Sequence, residues 1–305
     1  MDNVASVACW MRPEPHKPEE SECCGSGCVP CVFDVYEQEM SKWREEVVGG
    51  GRHVLASCTR SCLSPLEFRH CELVKIKQES HDTWRYAFRI PHDGSLNLKM
   101  GQHIVLRAVL NGDCIVKSYT PVSPLEAKGY FEVIIKLYET GLMSRCIKTW
   151  QVGRTAEWKG PFGDFPYVPN KYKHVGMLAA GTGITPLYQV ARGIVNNEED
   201  ETFIRLIYAC RTAKEVLLKE ELDQLAEFWN FRVVYALSQD PGVDQISRYG
   251  DIVVHGRITA ALVSTEMPPS VSGTITLVCG TSSFNKDMII FLRSMGYIDS
   301  MYFKF

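Results

Sequence analysis

The stretch Val175-Gly176-Met177-Leu178-Ala179-Ala180-Gly181-Thr182-Gly183-Ile184-Thr185-Pro186-Leu187-Tyr188-Gln189-Val190-Ala191-Arg192-Gly193-Ile194-Val195 decides how the rest of the chain is read. Its first six residues are small and apolar, as in a strand buried on both faces. Gly181-Thr182-Gly183 then supplies a turn that backbone can share closely with a ligand, because glycine has no Cβ. Thr185 suits an N-cap and Pro186 the first helical position. Leu187, Val190, Ala191 and Ile194 follow at i, i+3, i+4 and i+7, one apolar helical face. Strand, glycine turn and helix make a phosphate-ready helix start. It is not the dinucleotide fingerprint, since Pro186 stands where a third glycine belongs and the run 203–209 leads into Cys210 and Arg211, not an acid. On its own the turn reads equally well as an ordinary tight connection.

A chain of 305 residues has room for two domains, and its 45% hydrophobic content is that of a globular protein. No apolar run reaches membrane-spanning length, so no transmembrane segment is expected. The opening Met1-Asp2-Asn3 is read as neither a secretory signal nor a myristoylation site. The net charge of −3 argues against a nucleic-acid partner. Cysteine is abundant at 12, and most of it precedes residue 72. Without a secretory signal these are expected to be thiols in an intracellular protein.

Residues 1–22 are polar and rich in proline and charge, and read as a disordered lead. Cys23, Cys24, Cys28 and Cys31 follow within nine positions, interleaved with glycines. Thiolates so close suit zinc or an iron–sulfur cluster, a redox role, or simply exposed thiols without a ligand. The Cys24, Cys28, Cys31 spacing also occurs in radical enzymes, but the βα barrel such enzymes need does not follow. Tyr36, Met40, Trp43 and Val47 then form one side of a helix, with Gly49-Gly50-Gly51 behind it.

From residue 71 to 167 the period becomes two. Trp84, Tyr86, Phe88 and Ile90 alternate with Thr83, Arg85, Ala87 and Arg89, and Phe131, Val133, Ile135 and Leu137 with Glu132, Ile134, Lys136 and Tyr138. Shorter runs lie at 103–110, 114–120 and 155–158, and residues 144–150 suit one short helix. Many short strands at this spacing imply an antiparallel barrel or sandwich. From residue 172 onward, apolar runs 203–209, 231–237 and 275–279 alternate with helical stretches such as 214–229. Met288, Phe291, Leu292 and Met295 face one way in a last helix stopped by Gly296. This half is a doubly wound parallel sheet, whose ligands sit at the carboxyl ends of its strands.

Gly101-Gln102-His103, Lys117-Ser118-Tyr119-Thr120-Pro121, Gly141-Leu142-Met143-Ser144, Gly160-Pro161-Phe162-Gly163, Gly181-Thr182-Gly183-Ile184-Thr185-Pro186 and Cys279-Gly280 come in a telling order. From about residue 68 onward the chain resembles the ferredoxin-reductase-type FAD flavoproteins, and within them the NADH–cytochrome b5 reductases. Separately, the cysteine segment is similar to a small oxidoreductase-like N-terminal module. The resemblance implies that Tyr119 flanks the isoalloxazine, that Thr120 hydrogen-bonds near N5, and that His103 belongs to the adjoining network. It places Ile134 and Lys136 on the flavin and its ribityl chain, and Leu142, Met143 and Ser144 on the pyrophosphate. Thr185 reaches the flavin from the second domain. Lys117 stands where the family has arginine, keeping the charge but losing the two-pronged grip on phosphate, and Ser118 replaces the usual proline. Read from the residues alone, Ile134 is equally core, Lys136 a solvated face and Ser144 an N-cap.

For the nicotinamide dinucleotide, the resemblance implies that Gly181, Thr182 and Gly183 face the pyrophosphate and that Cys279 and Gly280 lie near the nicotinamide. A cysteine ending a buried strand packs more often than it reacts, so Cys279 is a positioning group, not a nucleophile. The family's NADH-selective acid falls at Ser238, which with Arg211 is compatible with a 2′-phosphate. NADH is nevertheless the expected donor, since the relatives use it.

The expected architecture is therefore a disordered lead and cysteine module over 1–64, a six-stranded antiparallel FAD-binding barrel over 65–169, and a doubly wound α/β nucleotide domain over 170–305. The implied enzyme passes hydride from NADH to FAD and then single electrons to a carrier such as cytochrome b5, with no metal in the hydride step. A monomer is expected, cytoplasmic, with membrane-surface or organelle association left open. Two rivals stand beside it: a non-enzymatic redox or metal-sensing module built on the cysteines, and an iron–sulfur-assisted reductase with another acceptor.

Overall fold

The computed structural model describes residues 15, 17–18, 32–48, 62–110, 112–239 and 251–305. Cys23, Cys24, Cys28 and Cys31 lie outside them, as does the glycine run 49–51. Within them, α1 (Val32–Val48) carries Tyr36, Met40 and Trp43, of which Met40 is buried.

Period two becomes six antiparallel strands: β1 (Arg69–Ser80), β2 (Thr83–Arg89), β3 (His103–Leu110), β4 (Asp113–Tyr119), β5 (Tyr130–Lys136) and β6 (Thr155–Phe162). They lie in the order β4-β3-β6-β1-β2-β5. The two outer strands then meet, because Pro121, just past β4, bridges to Val133 of β5 and the Val122 N–H donates to the Glu132 carbonyl at 2.8 Å. Closure leaves no open edge. The barrel core takes the alternate residues Phe88, Phe131, Val133 and Ile135 around Trp158, whose ring meets Phe88, Phe131 and Tyr119 edge-on. The short helix α2 (Leu142–Ile147) packs over β3 and β4, two residues earlier than the sequence suggests.

The second half is a wholly parallel sheet of β7 (His174–Ala180), β8 (Phe203–Cys210), β9 (Phe231–Leu237), β10 (Ile252–His255), β11 (Thr274–Cys279) and β12 (Tyr302–Lys304), ordered β10-β9-β8-β7-β11-β12. Helices α3 (Ile184–Val195) and α4 (Lys219–Leu225) cover one face, and α5 (Ala260–Glu266) and α6 (Ser282–Ser294) the other. Two apolar clusters, one per face, explain why the strands read as continuous apolar runs.

Two local readings need correction. Thr185 is not an N-cap and Pro186 is not the first helical residue. Gly181–Gly183 forms a 3-10 turn that runs straight into α3 at Ile184, and the Thr185 hydroxyl donates back to the Thr182 carbonyl at 3.1 Å. The stretch 214–229 is not one helix. Leu218 sits at φ +58°, a left-handed conformation that breaks it into a 3-10 turn over Ala213–Glu215 and α4.

Candidate functional site

The barrel half of the site gathers around the ends of β3 and β4. Lys117, Ser118 and Tyr119 close β4, paired with Leu106, Val105 and Ile104 of β3, and Thr120 is the first residue beyond. His103 opens β3 opposite Phe162 and is buried. Burial lowers its pKa from 6.5 to about 4, so the imidazole is neutral, and its Nε2 has no hydrogen-bond partner among the described residues. On β5, Ile134 points away from the barrel core and joins the cluster of Ile184, Leu187 and Tyr188 on α3. The choice between core and flavin wall thus acquires a geometry: Ile134 lies at the junction of the two halves. Lys136 is not a freely solvated lysine, because its Nζ pairs with Asp82 in the β1–β2 turn at 2.8 Å.

Leu142, Met143 and Ser144 form the first turn of α2, where backbone N–H groups lack intrahelical acceptors. Met143 is buried in the barrel core and Leu142 is exposed. Ser144 makes no N-cap; its buried hydroxyl accepts the Tyr138 N–H at 3.0 Å, cinching the 138–144 loop. Among the described residues no hydrogen bond ties this loop to the α/β half.

On the nucleotide side, Gly181 is at φ +54°, and a Cβ there would meet nothing within 4 Å, so open space lies above it. Gly183 has the opposite surroundings, since a Cβ would collide with the Cys279 carbonyl and come within 3.0 Å of the Gly280 nitrogen. The glycine turn and the Cys279–Gly280 strand end are therefore in direct contact, as the motif order implies. Burial pushes the Cys279 thiol up to about 12, so it is protonated and no nucleophile at neutral pH. Ser238 stands two strands away, its N–H and Oγ both directed at the Cys210 carbonyl, at 3.1 and 3.4 Å.

Sequence reasoning missed four residues that assemble these parts. Tyr208, fully buried, donates its hydroxyl to the Gly181 carbonyl at 3.0 Å and accepts the Leu217 N–H at 3.3 Å, fixing the turn. Gln189 on α3 accepts the Gly101 N–H at 2.8 Å and donates to the Gln102 carbonyl at 3.2 Å and the Pro121 carbonyl at 3.4 Å. Those contacts press α3 onto the residues flanking His103 and Thr120. Arg85 of β2 reaches Glu79 at 2.7 Å, Glu132 at 3.5 Å and Glu221 of α4 at 2.5 Å, a second link between barrel and sheet. Asp82 joins Lys136 to Arg211 at the end of β8, 3.5 Å away. Burial would raise the Asp82 pKa, but hydrogen bonds from Lys136 and Thr83 hold it below the usual carboxylate range. None of the four carries a local signal, because their partners are far apart in sequence.

No group of three or more His, Cys, Asp or Glu suited to a metal occurs among the described residues, and no described helix is long and apolar enough to cross a membrane.

Known proteins share this plan. Residues 70–167 match the oxidoreductase FAD-binding domain, residues 177–289 the oxidoreductase NAD-binding domain, and residues 8–49 the oxidoreductase-like protein N-terminal family. A mouse protein described as NADH-cytochrome b5 reductase-like is 39% identical over 304 residues, 97% of this chain and 96% of its own length. NADH-cytochrome b5 reductase 1 of Dictyostelium discoideum is 37% identical over 84% of this chain and 88% of its own. The cytochrome b5 reductase domain of Ulva prolifera nitrate reductase superposes with a TM-score of 0.73 at 29% identity, covering 81% of this chain and all of that domain. With the barrel, the parallel sheet and the glycine turn seated on Cys279–Gly280, these likenesses establish that the chain belongs to the NADH–cytochrome b5 reductase family of oxidoreductases, with FAD and NADH as its cofactors.

Proposed function

We propose that the chain carries electrons from NADH through FAD to a one-electron haem acceptor of the cytochrome b5 kind. In this reading residues 65–169 hold the FAD, residues 170–305 hold the nicotinamide dinucleotide, and the cysteine segment before them forms a separate module. Its expected boundary at 64 moves back, because Leu63 already packs in the barrel core and the Ser64 carbonyl accepts the Gly160 N–H. The observation that supports it most is the Gln189 clamp. It holds the second turn of α3 against Gly101-Gln102 and Pro121, which adjoin His103 and Thr120. The residues assigned to the flavin and those assigned to the nicotinamide thus border one junction, as hydride transfer requires.

The residues fit the two cofactors. On the flavin side His103 offers a buried nitrogen with no partner among the described residues, and on the dinucleotide side Gly181 faces open space. Bound FAD supplies the change from two-electron uptake to one-electron release. Around it, Tyr119 gives an aromatic wall that its edge-on contact with Trp158 keeps in place. Thr120 offers a hydroxyl beside that wall, and Ser118 spaces Lys117 from Tyr119 along β4. Lys117 and Lys136 bring positive charge to the phosphates and ribityl oxygens, and Leu142, Met143 and Ser144 bring backbone N–H groups. His103, neutral, adds a hydrogen bond without adding charge. Ile134, packed with Ile184 and Leu187, and the buried Thr185 keep water from the junction. Gly181, Thr182 and Gly183 let the dinucleotide backbone approach, and Cys279 and Gly280, locked against Gly183, set the nicotinamide's depth. The Cys279 thiol acts by shape alone, and Ser238 borders the adenosine ribose.

Steady-state reduction of purified ferric cytochrome b5 by NADH tests the acceptor. Saturable haem reduction supports the reading; rapid ferricyanide reduction with no haem reduction at any cytochrome concentration refutes it.

A further inference from the structure

Four charged side chains meet where the barrel faces the carboxyl ends of β8 and β9. Asp82 pairs with Lys136 at 2.8 Å and with Arg211 at 3.5 Å, and the Arg211 Nε donates to Glu215 at 2.9 Å. The second oxygen of Asp82 accepts the hydroxyls of Ser80 and Thr83 at 3.1 and 2.9 Å, so the carboxylate is pinned by its own turn. Arg211 in turn borders residue 238, since its carbonyl accepts the Gln239 N–H at 2.8 Å.

We propose that Asp82, reaching from the barrel, and Glu215, four residues past Arg211, are the cofactor-specificity residues of the nucleotide pocket: they occupy Arg211 and exclude a 2′-phosphate. The proposal rests on the reading that Arg211 and Ser238 border the adenosine ribose. The argument is one of charge. Ser238 carries none, so it cannot repel a phosphate, and an arginine beside it would by itself attract one. Here that arginine is already matched: the cluster holds two cations, Lys136 and Arg211, two carboxylates, Asp82 and Glu215, and the His81 imidazole 3.4 Å from Asp82. A ribose hydroxyl leaves both ion pairs intact. A phosphate monoester, nearly doubly charged at neutral pH, has to take Arg211 from two carboxylates and then lie beside them. Repulsion of the wrong ligand, not extra attraction for the right one, gives the selectivity. Because Asp82 belongs to the barrel and Arg211 to the sheet, the selection depends on both halves being in place.

The test uses the full-length, FAD-loaded protein and titration calorimetry with adenosine 2′,5′-bisphosphate and with 5′-AMP. Asp82→Asn keeps the turn's shape while removing the charge, and Glu215→Gln perturbs Arg211 without touching that turn. Each is expected to tighten bisphosphate binding roughly tenfold, with AMP changed by less than about twofold, the size of one charge repulsion near a protein surface. In an Arg211→Ala background the same substitutions should give a smaller gain, because only the repulsion is relieved and no arginine is freed for the phosphate. The NADPH-to-NADH ratio of kcat/KM should move with the bisphosphate affinity, and the gain should shrink at high salt. Unchanged bisphosphate binding in both carboxylate variants, with weaker binding in Arg211→Ala, overturns the proposal while the pocket reading stands. Unchanged binding in Arg211→Ala overturns both.

Discussion

Gln189 and Gly101, 88 residues apart, are joined by a buried hydrogen bond in which the glutamine side-chain oxygen accepts the glycine N–H at 2.8 Å. The same amide donates to the Gln102 and Pro121 carbonyls, so one side chain fastens α3 to the barrel at three points. Gln189→Leu would bury Gly101's N–H without a partner, at about 1–3 kcal/mol. A drop of that size in the free energy of urea unfolding is expected, together with slower flavin reduction by NADH. Unaltered stability and rate would show that the clamp does not hold the junction.

Lys117 carries the family's arginine position with a single-point cation. Lys117→Arg should therefore tighten FAD and Lys117→Ala weaken it, the latter by about 1.5–3 kcal/mol for a charged hydrogen bond to phosphate. Fluorescence of released flavin across a dilution series measures it. Equal retention in all three proteins would remove Lys117 from the flavin site.

His103 gives a pH signature with a defined sign. Its folded pKa is lowered by burial from 6.5 to about 4. The unfolded chain therefore takes up a proton between those values while the folded chain does not. Stability is intact above about pH 6.5, falls with acidification at up to ~1.4 kcal/mol per pH unit, and levels off below about pH 4. His103→Gln should abolish a loss of about 3 kcal/mol over that window, read as the difference between the two proteins' unfolding free energies. Parallel curves would mean that the imidazole is not buried neutral.

Much of the fold was legible because burial imposes periodicity. Phe131, Val133 and Ile135 alternate into the barrel core, and the run from Val175 to Ala180 is apolar because helices cover both faces of β7. Local backbone choices were less legible. Thr185 looked like a cap only because nothing in the sequence announces the 3-10 turn at Gly181–Gly183, and Leu218 gives no hint of its left-handed conformation. The site's motif residues could be named in advance, but not the side chains that assemble them. Tyr208 finds Gly181 across 27 positions, and Asp82 reaches Lys136 and Arg211 only once barrel and sheet are formed. Such pairings depend on tertiary closeness, which spacing along one chain does not encode.

The N-terminal segment is expected to be separable. Every residue assigned to the flavin or the nicotinamide dinucleotide lies after position 80, so removal of residues 1–60 should leave NADH–ferricyanide reduction within a few-fold, about 1 kcal/mol in barrier. A truncated protein that keeps its FAD and its fold but loses the activity would place the cysteines in the mechanism.

The central claim, that hydride passes from NADH to FAD at the junction held by Gln189, is tested most directly by anaerobic rapid mixing of NADH with the FAD-loaded protein. The flavin's visible absorbance is predicted to bleach fully with one equivalent of NADH, since a hydride carries both electrons. The rate should fall with NADH deuterated at the transferred position. It should fall roughly 10- to 100-fold in Thr120→Val without loss of flavin, as when one positioned hydrogen bond at the reacting atom is removed. Absorbance that stays unbleached with NADH, or that bleaches equally fast in Thr120→Val and with the deuterated donor, would contradict the account.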